Sequence, residues 1–367
     1  MTLRITRREA MGWLGVAAGA TFVRDLRAER ASVQAGWRTQ PAFERGVVIR
    51  TLVKDVPPGE ITGRTLFHEH LSIRYPLTKA IAEQQGRPVP PSFTDDVDLI
   101  VDETKLARQD GVSCIVDGGH PDMDRDLSAL KRIAAESGVH IVGSGGFYMQ
   151  RNYPTDVASK SADQLADELA RDAKEQRLGA FGEIGQQGGV PTDDERKVFT
   201  AVARAQAKTG LPIFTHNPYT GMRATDPPVP MDAALKQLDV LETAGADLRH
   251  VAIGHVCCLN DVTAEIPKQL AKRGVFVGFD RVGIPIVPDA QKVTTILAFL
   301  EAGYVDQLLL SSDFSNGRAL KKNGGPGIAQ TVTMFGPMLV KAGVSEATLG
   351  HILIDNPRRF LAVRPKI

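Results

Sequence analysis

Three cysteines in 367 residues are too few and too unevenly placed for a disulfide framework. Cys114 sits inside an apolar run and reads as core. The adjacent Cys257 and Cys258 read as two small semi-buried thiols in preference to metal ligands or a strained bridge. An excess of charge of one sign is also missing: 44 Lys and Arg against 43 Asp and Glu leave a formal +1. With no basic stripe, nucleic acid and an anionic membrane surface are excluded as main partners. A small molecule is the expected partner, and a homodimer is the one assembly retained. Aromatic residues make up only 6% of the chain, as suits an interior of Val, Ile, Leu and Ala. No apolar run is long enough to span a bilayer. There is no P-loop, and the one glycine-rich stretch, Gly143-Ser144-Gly145-Gly146, lacks the later glycine of a dinucleotide fingerprint.

What is present begins with Arg7-Arg8 ahead of a moderately apolar run, Ala10 to Val23, of the length of a signal h-region. That order resembles a twin-arginine export signal. Val33-Gln34-Ala35 before Gly36 offers a small-residue cleavage site. Residues 1–35 are therefore expected to be an export signal and 36–367 a single mature domain, periplasmic or secreted, with no stable membrane association after export.

Gly46 to Val53, then Pro57-Pro58-Gly59, reads as strand, turn and return strand, so residues 46–63 predict a small hairpin closing one end of the domain. From Thr65 a two-beat rhythm sets in, a short apolar run and then a stretch of helical periodicity. Strands are expected at Thr65–Glu69, Ser113–Asp117, His140–Ser144, Gly179–Ile184, Pro212–His216, His250–His255, Val275–Phe279 and Gln307–Ser312. Helices are expected at Asp96–Gln109, Asp126–Ser137, Ala162–Gln176, Asp193–Lys208, Asp232–Ala244, Asn260–Arg273, Ala290–Ala302 and Ile328–Ala342. Eight strand–helix pairs predict an α/β fold, a (β/α)8 TIM barrel over residues 64–343 with a C-terminal helical extension over 344–367. In such a barrel the active site lies where the strands end.

The strand ends carry the chemistry. His68 and His70 in TLFHEHL are two residues apart, so on a strand both face one side while Phe67 and Glu69 face the other. Glu183 lies near the end of GAFGEIG, His216 closes PIFTH, His255 closes VAIGH and Asp313 follows LLLSS. A barrel would bring all six to one mouth. His140 and His250 begin strands and belong at the opposite face, His351 lies in a terminal helical segment, and His120 is an outside candidate for the mouth. Four imidazoles and two carboxylates suit two divalent ions of zinc, manganese, iron or cobalt better than magnesium. Such a pair, bridged by a carboxylate and a hydroxide, makes a strong nucleophile at neutral pH.

FHEHL, GEIG, PIFTHN, IGHVCC, GFDRVG, SSDF and NPRRFL together resemble the phosphotriesterase family of the amidohydrolase superfamily, from about Gly46 to Val363. The resemblance implies that His68, His70 and Asp313 hold one ion and His216 and His255 the other, with Glu183 bridging them. It also implies that Asp313 shuttles the proton and that the chain is a binuclear hydrolase cleaving an ester, lactone or phosphoester, against two alternatives: a related amidase or deaminase with one metal and, from another class, a catalytically silent metal-binding protein. Many members use a carboxylated lysine as the bridge, and Glu183 marks a minority branch whose shorter bridging arm puts efficient phosphotriester hydrolysis in question. Tyr148 and Arg281 match residues that approach the ester in the lactonase branch. The bland alternatives are a rim aromatic for Tyr148 and an ion pair with a neighbour such as Asp280 for Arg281. The glycine-rich loop from Ser315 to Gly327 reads as a mobile flap.

Overall fold

The computed structural model describes residues 41–74, 76–221 and 229–367. The proposed export signal lies outside them. Two short strands, β1 (Ile49–Arg50) and β2 (Asp55–Val56), pair antiparallel. Their turn lies at Thr51–Lys54 and not at Pro57-Pro58-Gly59, because the Thr51 hydroxyl donates to the Lys54 carbonyl at 2.7 Å and closes the tighter loop. Pro58–Glu60 instead forms a single 3-10 turn, which a proline at its start favours.

All eight expected barrel strands are present: β3 (Arg64–Glu69), β4 (Val112–Asp117), β5 (His140–Gly145), β6 (Ala180–Gly185), β7 (Ile213–His216), β8 (Val251–Ile253), β9 (Phe276–Phe279) and β10 (Leu308–Leu310). Each pairs in parallel with its sequence neighbour. The β10–β3 seam is drawn together by two backbone bonds beyond the ladders, Asp313 N–H to His68 O at 3.2 Å and His70 N–H to Phe314 O at 3.0 Å. Glu69 reinforces this seam: its carboxylate accepts from the hydroxyls of Ser311 and Ser312 and from the backbone N–H groups of Ser312 and Phe314.

The helices start where capping chemistry allows. Ser161 with Gln164, and Thr192 with Glu195, form capping boxes at the starts of the helices Ala162–Glu175 and Asp193–Thr209. The expected helix from Asn260 begins only at Glu265, since the Asp261 carboxylate accepts from Ile266 N–H at 2.8 Å and Ala264 is left-handed at φ 58°. The expected helix from Ile328 is split into a π turn, Thr331–Phe335, and a short helix, Gly336–Lys341. A further helix, Pro76–Gln84, lies between β3 and the expected helix at 97–109.

Phe67, Cys114, Val116, Val142, Ala180, Phe214, Ala252, Phe276 and Leu309 form one buried cluster with Ile49, Val56 and the C-terminal Phe360 and Leu361. Only the barrel axis can bring residues from all eight strands together, so the hairpin and the last helix plug the end opposite the ligand residues. Phe67 corrects an expectation: it packs inward, not behind the strand. The β3–β4 pairing shifts register between Leu66 and Glu69, and this irregularity breaks strict alternation.

Candidate functional site

His68 and His70 emerge from the end of β3, Glu183 lies within β6 and His216 ends β7. His255 and Asp313 lie beyond the ends of β8 and β10, further out than expected. Both adopt left-handed backbone, φ 58° and 50°, a conformation that non-glycine residues hold at a cost of order 1–3 kcal/mol and that clusters at functional sites. Two glycines admit this arrangement. A Cβ on Gly118 would stand 3.0 Å from the His68 ring and 3.1 Å from the His70 ring, and one on Gly254 would meet Thr215 O at 2.1 Å.

The six residues converge. Glu183 Oε2 lies 2.8 Å from His216 Nδ1, 3.2 Å from His255 Nε2 and 3.5 Å from His68 Nε2, while Oε1 lies 3.2 Å from His70 Nε2. Asp313 Oδ1 is 3.1 Å from His70 Nε2. Donor atoms within 4.8 Å of one another fall into groups that include His68, His70, Glu183 and Asp313, and Glu183, His216 and His255. Glu183 belongs to both.

Asp280, at the end of β9, was not singled out as part of the site. Its carboxylate accepts from His68 Nδ1 at 2.9 Å and from His255 Nδ1 at 3.0 Å, and also from the His255 backbone N–H at 2.7 Å. Occupying Nδ1 turns both Nε2 atoms inward, the work a carboxylate does behind metal-ligating histidines. A strand-end aspartate on a strand without an assigned ligand was the available signal. Arg281 accordingly does not pair with Asp280: its Nη1 meets Asp313 Oδ2 at 3.2 Å.

Tyr148 packs edge to face on His216, ring centroids 4.8 Å apart. His120 is at the mouth, buried, its Nε2 donating to the Glu183 carbonyl at 3.0 Å. His250 is at the other end, bonded through Nδ1 to Phe360 O at 2.9 Å, and His351 is bonded to Asp306. All three cysteines are free and buried, and Cys257 Sγ accepts from the Arg281 backbone N–H.

The electrostatics show an anionic centre that draws positive charge. Burial disfavours an imidazolium at His70, but Asp313 and Glu183 outweigh it and raise the group to about 9. At His255 burial is likewise overcome by Asp280 and Glu183, again reaching about 9. His68 ends well above its ordinary value against its burial, through Glu183 and Asp280. His216 goes the other way, to about 4, because burial prevails over Glu183 and His255 adds repulsion. Burial alone would raise Glu183 and Asp313. Yet His216 and His68 hold Glu183 well below the usual carboxylate range, and Arg281 and His70 hold Asp313 below it.

The donor set fits metal. His68 Nε2, which faces Glu183, is buried without a hydrogen-bond partner, and a buried polar atom left so costs roughly 1–3 kcal/mol. Imidazole nitrogens and carboxylate oxygens crowded at 2.8–3.5 Å are the donors that zinc and its neighbours in the first transition row take.

Residues 49–361 match the phosphotriesterase family. By sequence the chain is 31% identical over 313 residues to the phosphotriesterase homology protein of Escherichia coli K12, covering 82% of this chain and 98% of that one. The crystal structure of the Escherichia coli phosphotriesterase homology protein, with phosphate in its active site, superposes with a TM-score of 0.71 at 28% identity over 82% of this chain and 99% of that one. The N-acetyltaurine hydrolase of Bos taurus is 27% identical, over 86% of this chain and 98% of its own. A lactonase from Listeria monocytogenes, 24% identical, shares the fold with a TM-score of 0.74 over 86% and 98% of the two chains.

Proposed function

Since the chain belongs to the phosphotriesterase family, a family of metal-dependent hydrolases, we propose that it is a binuclear hydrolase cleaving an ester, lactone or phosphoester. The observation that carries this reading is the place of Glu183 in both donor groups. His68, His70 and Asp313 would hold one divalent ion and His216 and His255 the other, with Glu183 between them. Zinc is the first choice, and manganese, iron or cobalt are compatible with the same donors. The ions would supply a hydroxide at neutral pH and polarise the carbonyl or phosphoryl oxygen.

The chain's own residues do the rest. Asp280 fixes His68 and His255 in the tautomer that aims Nε2 inward. Asp313, kept ionised by Arg281 and His70, is in the state needed to accept a proton from the attacking water and return it to the leaving group. Arg281 on Asp313 and Tyr148 on His216 flank the cluster and would orient the acyl or phosphoryl group. Export through residues 1–35 would put this hydrolase outside the cytoplasm.

A second reading, amide cleavage, is favoured by the N-acetyltaurine hydrolase among the relatives. A panel of carboxylic esters, lactones, phosphoesters and N-acyl amides, offered to the zinc-, manganese- and cobalt-loaded protein, separates the two. The first reading expects turnover of at least one ester-type class. Turnover of amides alone would replace it with the second, and metal occupancy with no turnover would leave a silent binding protein.

A further inference from the structure

His120 and Asp122 lie after β4 and are not among the donor residues. Both side chains are buried, 0% and 2% exposed. His120 Nδ1 meets Asp122 Oδ1, and Nε2 donates to the backbone carbonyl of Glu183 at 3.0 Å. The other oxygen of the same carboxylate, Asp122 Oδ2, accepts from the backbone N–H of Tyr148 at 2.8 Å. One buried pair thus grips the main chain at two places, one within β6 and one just after its neighbour β5. One is the residue that would bridge the ions, the other a residue that would face the acyl group. From the same turn, the Glu183 backbone N–H donates to Gly118 O at 3.2 Å, so the segment after β4 holds Glu183 from both sides of its peptide.

Such placement has a physical consequence. Glutamate has a flexible stem, and the carboxylate of Glu183 must meet four imidazoles at once. Fixing its backbone limits the positions its carboxylate can take. Tyr148 depends on the same pair for its backbone height and so for the contact of its ring with His216. His120 reaches both only because Pro121–Met123 turns at once into a short 3-10 helix that folds Asp122 back against the imidazole.

We propose that the His120–Asp122 pair is a positioning device that sets Glu183 for metal binding and couples it to the Tyr148 wall of the substrate site. This inference rests on the reading of Glu183 as a metal ligand. His120 itself is not a ligand, since its two ring nitrogens are taken up by Asp122 and the Glu183 carbonyl.

The test compares the parent with His120→Phe, His120→Gln and Asp122→Asn, each stripped of metal and titrated with zinc against a chromophoric chelator. Folding is followed by circular dichroism. Removing a supporting partner behind a metal ligand weakens affinity by about 10- to 100-fold, and His120→Phe should show a loss of that size at one of two zinc sites. His120→Gln keeps an N–H for the Glu183 carbonyl and should recover most of it. Asp122→Asn keeps an acceptor for Tyr148 N–H but loosens the imidazole, and should lower zinc affinity more than it raises KM. Zinc affinity in folded His120→Phe within twofold of the parent would overturn the proposal. So would equal losses in His120→Phe and His120→Gln, and where His120→Phe does not fold, unchanged zinc affinity and KM in Asp122→Asn overturns it instead. A parent that binds no zinc overturns the reading of Glu183 and the inference with it, an outcome visible before any variant is made.

Discussion

Arg281 Nη1 stands 3.2 Å from Asp313 Oδ2, two residues brought together from the ends of neighbouring strands. The pair joins a guanidinium to the carboxylate assigned to proton transfer. The Arg281 side chain stays 17% exposed, so the guanidinium can still meet a substrate oxygen. Arg281→Met should lower kcat/KM by about 10- to 100-fold, the scale of one lost charge-assisted hydrogen bond. Tyr148→Phe should act more weakly in the same direction. Metal content, measured on the same samples, should stay at the parent level, and its parallel loss would make both residues scaffold.

Asp280 serves two histidines at once, and no other carboxylate among the described residues is placed to replace it. Asp280→Asn keeps the shape but removes a charge and an acceptor from one of two imidazoles. Metal affinity should fall by about 10- to 100-fold, as read by chelator competition. An unchanged affinity would show that the two tautomers are set by something else.

His255 and His140 make a matched pair of controls at opposite barrel ends. His255→Ala removes a donor from the cluster and should abolish turnover to below about a hundredth of the parent. His140 opens β5 and is only partly buried, so His140→Ala should leave kcat within about twofold, as is usual for substitutions away from such features. Equal losses would mean that the two barrel ends have been exchanged.

The barrel and the ligand ring were legible because they rest on short-range pattern. Apolar runs bounded by Gly and Pro mark strands, and a parallel barrel sends every strand end to one face. His68, His70, Glu183, His216, His255 and Asp313 needed only that rule. Less legible was whatever depends on backbone detail. The bulge that turns Phe67 inward, and the left-handed backbone that carries His255 and Asp313 past their strands, leave no mark on periodicity. Support residues were hidden for another reason: Asp280, Glu69 and the His120–Asp122 pair are defined by which long-range partner they meet. Arg281 shows the difference, since adjacency in sequence pointed to Asp280 and the fold supplied Asp313.

The central claim is that six side chains from five strand ends hold two divalent ions through one shared glutamate, and elemental analysis tests it most directly. The purified protein is saturated with zinc, passed over a desalting column and assayed for zinc per chain, beside Glu183→Gln prepared in the same way. The account predicts two ions per chain in the parent and fewer in the variant, because the amide keeps the shape of the bridge but not its charge. One ion per parent chain at saturation, or two ions retained in Glu183→Gln, would contradict it.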